Sequence, residues 1–115
     1  MLVLTRLVGQ RVIIDHRFIL ELIASDKESA YLKLTVPSGG HIDLDHTVWR
    51  PDGDGDGRFC CRLGTSDSVQ IGAEIALLLV ETRVHRARIG FHTPPGMAVY
   101  REEIYHPAEP ARKPA

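Results

Sequence analysis

Apolar and polar residues alternate along this chain in short runs; they rarely recur every three or four positions. Period-two alternation of aliphatic and β-branched residues marks half-buried strands. The pattern predicts strands over 2–7, 11–15, 18–24, 30–36 and 42–48. Gly9, the polar turn Ser25-Asp26-Lys27-Glu28-Ser29 and the stretch Pro37-Ser38-Gly39-Gly40 punctuate them. Residues 50–57, Arg50-Pro51-Asp52-Gly53-Asp54-Gly55-Asp56-Gly57, read as an acidic, Gly-rich linker with little that could pack. The same rhythm then returns over 59–63, 69–71, 74–82, 86–92 and 97–101. Residues 75–80 are apolar without alternation, which predicts a strand covered on both faces.

Sliding the second half back by 57 positions lays Val12 on Val69, Ile14 on Ile71, Leu20 on Leu77, Leu22 on Leu79, Ala30 on Ala87 and Pro37 on Pro94. The register holds without gaps, which predicts a tandem duplication. The organisation expected is a repeat over 1–49, the linker over 50–57, a second repeat over 58–105 and a flexible Pro-rich tail over 106–115. One five-stranded unit of this size would leave exposed edges and half a core. Two units facing each other resolve both problems. The fold class predicted is therefore all-β: a small β-sandwich or barrel of two pseudo-symmetric, five-stranded repeats. Pro107, Pro110 and Pro114 leave little or no C-terminal helix.

Composition narrows the chemistry. With 115 residues, 43% hydrophobic and 25% charged, the chain is neither disordered nor collagen-like. Its net charge of −1 argues against a bulk polycation that coats nucleic acid, and leaves room for a local basic patch. Cys60 and Cys61 are adjacent, so on a strand they point to opposite faces and suit neither a disulfide nor a shared metal site. No signal peptide is visible, and the longest apolar run is too short to span a bilayer, so a cytoplasmic, membrane-free protein is expected. The Asp52–Asp56 stretch opens like a calcium loop, but Leu63 stands where the closing glutamate belongs. Six histidines show no ligand spacing with cysteine, and Ser66, Asp67 and His85 lack an elbow or oxyanion motif. No metal, no cofactor and no enzymatic activity are expected.

Two segments are more specific. The chain opens Met1-Leu2-Val3-Leu4-Thr5-Arg6-Leu7-Val8-Gly9 and closes its second half with Met97-Ala98-Val99-Tyr100-Arg101-Glu102-Glu103-Ile104-Tyr105. Together with Arg86-Ala87-Arg88-Ile89-Gly90-Phe91, these resemble the carbon storage regulator family, small bacterial RNA-binding translational regulators. The resemblance is strong over the second repeat and the first strand, and rests on pattern alone over 10–49. It implies interleaved strands, with RNA lying on the first strand of one half beside the last strand of the other. It also implies GGA-containing loops in mRNA leaders as ligands. This chain resembles the family's homodimer fused into one polypeptide, a monomer mimicking a dimer.

The site so implied comprises Leu2, Leu4, Thr5 and Arg6 from the first strand, Met97, Ala98, Val99 and Arg101 from the last, and Arg88. Strand alternation puts Leu2, Leu4 and Arg6 on one face, and Met97, Val99 and Arg101 on one face. Unstacked bases want apolar or planar surface, and guanine wants the donors that an arginine fork supplies. The opposite site would use 59–63 and 42–46, where His46 or Asp45 replaces the arginine and Asp43 and Asp45 repel RNA. It is read as dead. The family's Gly-x-x-Gly turn is absent from both halves: Ala24-Ser25-Asp26-Lys27 and Glu81-Thr82-Arg83-Val84 stand there. Expected partners are mRNA, small regulatory RNA and, more weakly, a protein antagonist. The competing reading is a protein-binding module that has lost RNA.

Overall fold

The computed structural model describes residues 1–37, 42–53 and 57–105. These form ten strands and one 3-10 turn: β1 (Leu2–Leu7), β2 (Arg11–Ile14), β3 (Phe18–Ser25), β4 (Ser29–Thr35), β5 (Arg50–Pro51), β6 (Arg58–Gly64), β7 (Ser68–Ile71), β8 (Ile75–Arg83), β9 (Arg86–His92), β10 (Val99–Arg101) and the turn Glu102–Ile104. The all-β class expected from the alternation is what the chain adopts.

The strands make two sheets, ordered β1-β9-β8-β7 and β10-β2-β3-β4-β6-β5. Every pairing within them is antiparallel. The order interleaves the chain. β1 leaves its sequence neighbours and pairs with β9, Leu2 opposite Phe91 and Leu7 opposite Arg86. β6 crosses the other way and pairs with β4, Ala30 opposite Leu63 and Leu34 opposite Phe59. β10 returns to flank β2, with Arg101 opposite Val12.

Alternation explains the core. Leu20, Leu22, Leu32 and Leu34 point inward from one sheet and meet Leu77, Leu79, Ile89 and Phe91 from the other, all almost fully buried. Several local features recur 57 residues apart. The Gly9 amide donates to the Leu22 carbonyl at 2.7 Å, and the Ser66 amide to the Leu79 carbonyl at 2.8 Å. A bulge falls between Leu22 and Ala24 in β3, and another between Leu79 and Glu81 in β8. The Ser25 hydroxyl donates to the Arg83 carbonyl, and the Thr82 hydroxyl to the Asp26 carbonyl, both at 2.8 Å. The two contacts run in opposite directions between equivalent positions, as contacts do across a two-fold axis.

Two predicted boundaries need correction. Residues 42–48 are not a strand: the Asp45 carboxylate accepts the Thr47 amide at 2.9 Å, and its carbonyl accepts the amides of Val48 and Trp49. An aspartate that ties its own backbone two residues on competes with sheet pairing, and here it wins. The predicted linker instead supplies a strand, because Arg50 and Pro51 pair with Cys60 and Phe59. Residues 54–56 of that linker and the tail over 106–115 lie outside the described residues.

Candidate nucleic-acid interface

β1 edges one sheet and β10 edges the other, and the turn through Gly9 carries the chain from β1 into β2, the neighbour of β10. The two edge strands therefore meet at one corner of the sandwich. Arg6 holds that corner together. Its Nε donates to the Thr5 carbonyl at 2.8 Å, and its Nη1 to the Arg11 carbonyl at 3.1 Å. Nη1 and Nη2 also grip the two carboxylate oxygens of Glu103 at 2.9 Å each. A bidentate guanidinium–carboxylate pair is both strong and directional. Arg11 adds a second bond across the corner, to Glu102 at 3.2 Å.

The pairing shows in the acid chemistry. The hydrogen bond from Arg6 is the main reason the Glu103 carboxyl is held down to about 2. Glu81 is likewise held below the usual carboxylate range, first by its hydrogen bond from Arg83. The Cys61 thiol is pushed up to about 12 by burial, so it behaves as a small apolar core residue.

The sequence-predicted residues do not all turn the same face outward. Leu4 and Arg6 do share a face, as alternation requires, and that face is the interior: they are 8% and 4% exposed. Leu2 and Thr5 are exposed, and Arg88 lies opposite Thr5, exposed and 3.8 Å from Glu81. Met97, Ala98 and Val99 are half-buried, with Met97 and Val99 against the core, and Arg101 is exposed. The turn Pro94-Pro95-Gly96-Met97, closed by the Met97 amide on the Pro94 carbonyl at 3.2 Å, aims the chain into β10. Gly96 takes the left-handed conformation such a turn requires at its third position, with φ of 88°. Arg101 makes no ion pair among the described residues.

Sequence reasoning did not single out Glu103, although it stands in the quoted closing motif. Nor did it find an aromatic cluster beside β10: His16, Tyr100 and Tyr105 have ring centroids 5.4–5.7 Å apart. The Tyr105 hydroxyl lies 3.1 Å from His16 Nδ1. His16 is far from the two tyrosines in sequence, and the pairing of β10 with β2 brings it to them.

The opposite corner is built from other chemistry. The Gly72 amide donates to the Asp43 carbonyl at 3.0 Å, as the Asp15 amide does to the Ala98 carbonyl at 2.8 Å. This register sets His46 in the place of Arg101. Leu63 is buried where the first corner has Arg6. Trp49 is wholly buried and donates its indole N–H to the Gln70 carbonyl at 2.9 Å. Among the described residues, no cluster of three His, Cys, Asp or Glu side chains is placed to hold a metal, and no helix is long and apolar enough to cross a membrane.

The described residues thus form a two-sheet, strand-exchanged framework with an arginine-tied corner. Residues 65–109 match the model of CsrA, the global regulator protein family. The matched segment, less than half of the chain, is similar to the carbon storage regulator family. A translational regulator CsrA from Geotalea uraniireducens (strain Rf4) is 41% identical over 39 residues, which are 34% of this chain and 49% of that protein. The match thus spans about half the length of that relative. No solved structure matches the chain.

Proposed function

We propose that this protein binds single-stranded RNA at the β1–β10 corner and regulates translation or stability of mRNA from the cytoplasm. The observation that carries the reading is the Arg6–Glu103 clamp, which ties β1 to the turn that follows β10 while Arg101, Thr5, Leu2 and Arg88 stay accessible. Arg101 would present its fork of donors to a guanine, and Leu2 with the half-buried Met97–Val99 segment would carry unstacked bases. The unpaired edge of β1 adds backbone donors and acceptors that can read base edges. Leu4 and Arg6 are positioning residues in this scheme, acting through the strand geometry they hold.

The chain acts as a fused dimer with one working site. Features recurring 57 residues apart support the duplication. The apolar, Trp49-filled second corner supports loss of its partner site. GGA-containing loops are the ligand the family resemblance implies. The test is an electrophoretic titration with a GGA-loop hairpin and a GGA-disrupted control. Tight binding of the first alone is expected, and equal binding of both would overturn the sequence-specific reading.

A further inference from the structure

The outer face of the six-stranded sheet carries charge that neither the fold nor the corner uses. Alternation along β6 sends Cys61 and Leu63 inward and Arg58, Cys60 and Arg62 outward. Cys60 is the centre of a cationic group. Arg58 and Arg62 lie two residues to either side of it, and Lys33 and Arg50 lie opposite it on the two neighbouring strands. None of these four cations forms an ion pair among the described residues, whereas every ion pair there lies elsewhere. The nearby acids are few: Asp52 beside Cys60, Asp26 within reach of Arg62, and Glu21, which faces Lys33 but is bonded to Arg11 at 3.3 Å. In a chain whose net charge is −1, four cations without an ion pair on one sheet face are a segregation that self-repulsion opposes.

Two further observations point to what offsets that repulsion. Tyr31 is 37% exposed and sits directly opposite Arg62, at the rim of a depression of about 430 Å³ lined also by Ile23, Val48 and Arg50. An exposed ring among arginines is a surface on which bases stack while phosphates are neutralised. The face also reaches β10, the strand that carries Arg101, although alternation turns Tyr100 and Arg101 to opposite sides of it. One cross-strand row runs Tyr100, Ile13, Ile19, Thr35, Arg58, from the β10 edge to the cationic group. Four strand spacings make that row roughly 19 Å long. A strand with a phosphate every 3.4 Å or more crosses it in at most about six nucleotides.

We infer that the outer face of this sheet is a track for the phosphodiester backbone of RNA flanking the corner site, with Lys33, Arg50, Arg58 and Arg62 as its phosphate contacts and Tyr31 as a stacking ring. The inference rests on the corner's being an RNA site. The test measures, by fluorescence anisotropy over a salt series, a minimal GGA hairpin and the same hairpin with about six unpaired nucleotides added on one side or the other. One of the two extended RNAs should bind more tightly and with a steeper salt slope. In the double variant Arg58→Gln/Arg62→Gln, the extended RNA should lose most of that gain and its slope should fall by about 1.4, from 0.7 per single-strand phosphate contact. The minimal hairpin should bind unchanged.

Alkylation of Cys60 gives a second readout on the unaltered protein, since its thiol is half-buried at the centre of the group while Cys61 is buried. The extended RNA should slow it and the minimal hairpin should not. No binding of the minimal hairpin overturns the corner site itself. Binding with no gain from either extension, or a gain that survives in the double variant, overturns the track alone. Protection of Cys60 by an acidic polypeptide equal to that by the extension would make the face a protein-docking surface and overturn its assignment to RNA.

Discussion

Arg6 and Arg101 look alike in the sequence and do different work. Arg6 is buried and spends its donors on two carbonyls and one carboxylate; Arg101 is exposed. Arg101→Ala should therefore cost about 1–3 kcal/mol in RNA affinity, the range of a specific base contact, and leave the thermal midpoint where it is. Arg6→Ala should lower both, and Arg6→Lys should not restore them, because a point charge cannot replace a two-pronged grip. Anisotropy and thermal melts on the three variants check this. Glu103 adds a pH dependence. Its carboxyl ordinarily titrates near 4.5 and is held in the fold to about 2. Between these values the unfolded chain binds the proton and the folded chain does not, so the stability from this pair is complete above 4.5 and drains away as the pH falls toward 2. The gap in urea midpoint between the native protein and Glu103→Gln should be widest near neutrality and close in acid.

At the scale of elements, the seam between the sheets depends on Trp49, fully buried and hydrogen-bonded to the carbonyl of Gln70. Trp49→Ala should cost about 3–5 kcal/mol, read as a lower urea midpoint, because it leaves both a cavity and an orphaned carbonyl. Most strands could be read from the sequence because alternation at 2–7, 18–24, 30–36 and 86–92 is a direct consequence of burying one face. Alternation fixes which residues share a face, however, and not which face turns inward. Leu4 and Arg6 were legible as a pair, but that a guanidinium would turn into the core was not, because its burial depends on Glu103 arriving from nearly a hundred residues away. Residues 42–48 mislead for a local reason: the alternation there is genuine, and the turn chemistry of Asp45 overrides it. The pairing of Arg50 and Pro51 left no mark in a segment whose composition is that of a linker.

At the scale of the molecule, two corners related by topology differ in chemistry, one with Arg6, Glu103 and Arg101, the other with Leu63, Trp49 and His46. A protein with two equal sites holds two loops of one message and gains from effective concentration. A single site, as proposed for this chain, cannot do this. For RNAs of equal length, restoring a second GGA loop should tighten binding by no more than the statistical factor of about two. Calorimetry should return one RNA per chain, and a ratio near two on protein shown monomeric by sedimentation would refute the single-site proposal.

The pairing of β1 with β9 also sets a timetable. Leu2 is translated before its partner Phe91, which comes 89 residues later. At about 5–20 residues per second, the first strand waits roughly 4–18 seconds before its partner strand exists. During that interval Leu2, Val3, Leu4 and Leu7 have no sheet to join, and the segment is a candidate for mispairing with other nascent chains. The charge of Arg6, set among those aliphatic residues, disfavours such association, and Glu103, which takes that charge up in the fold, is translated later still.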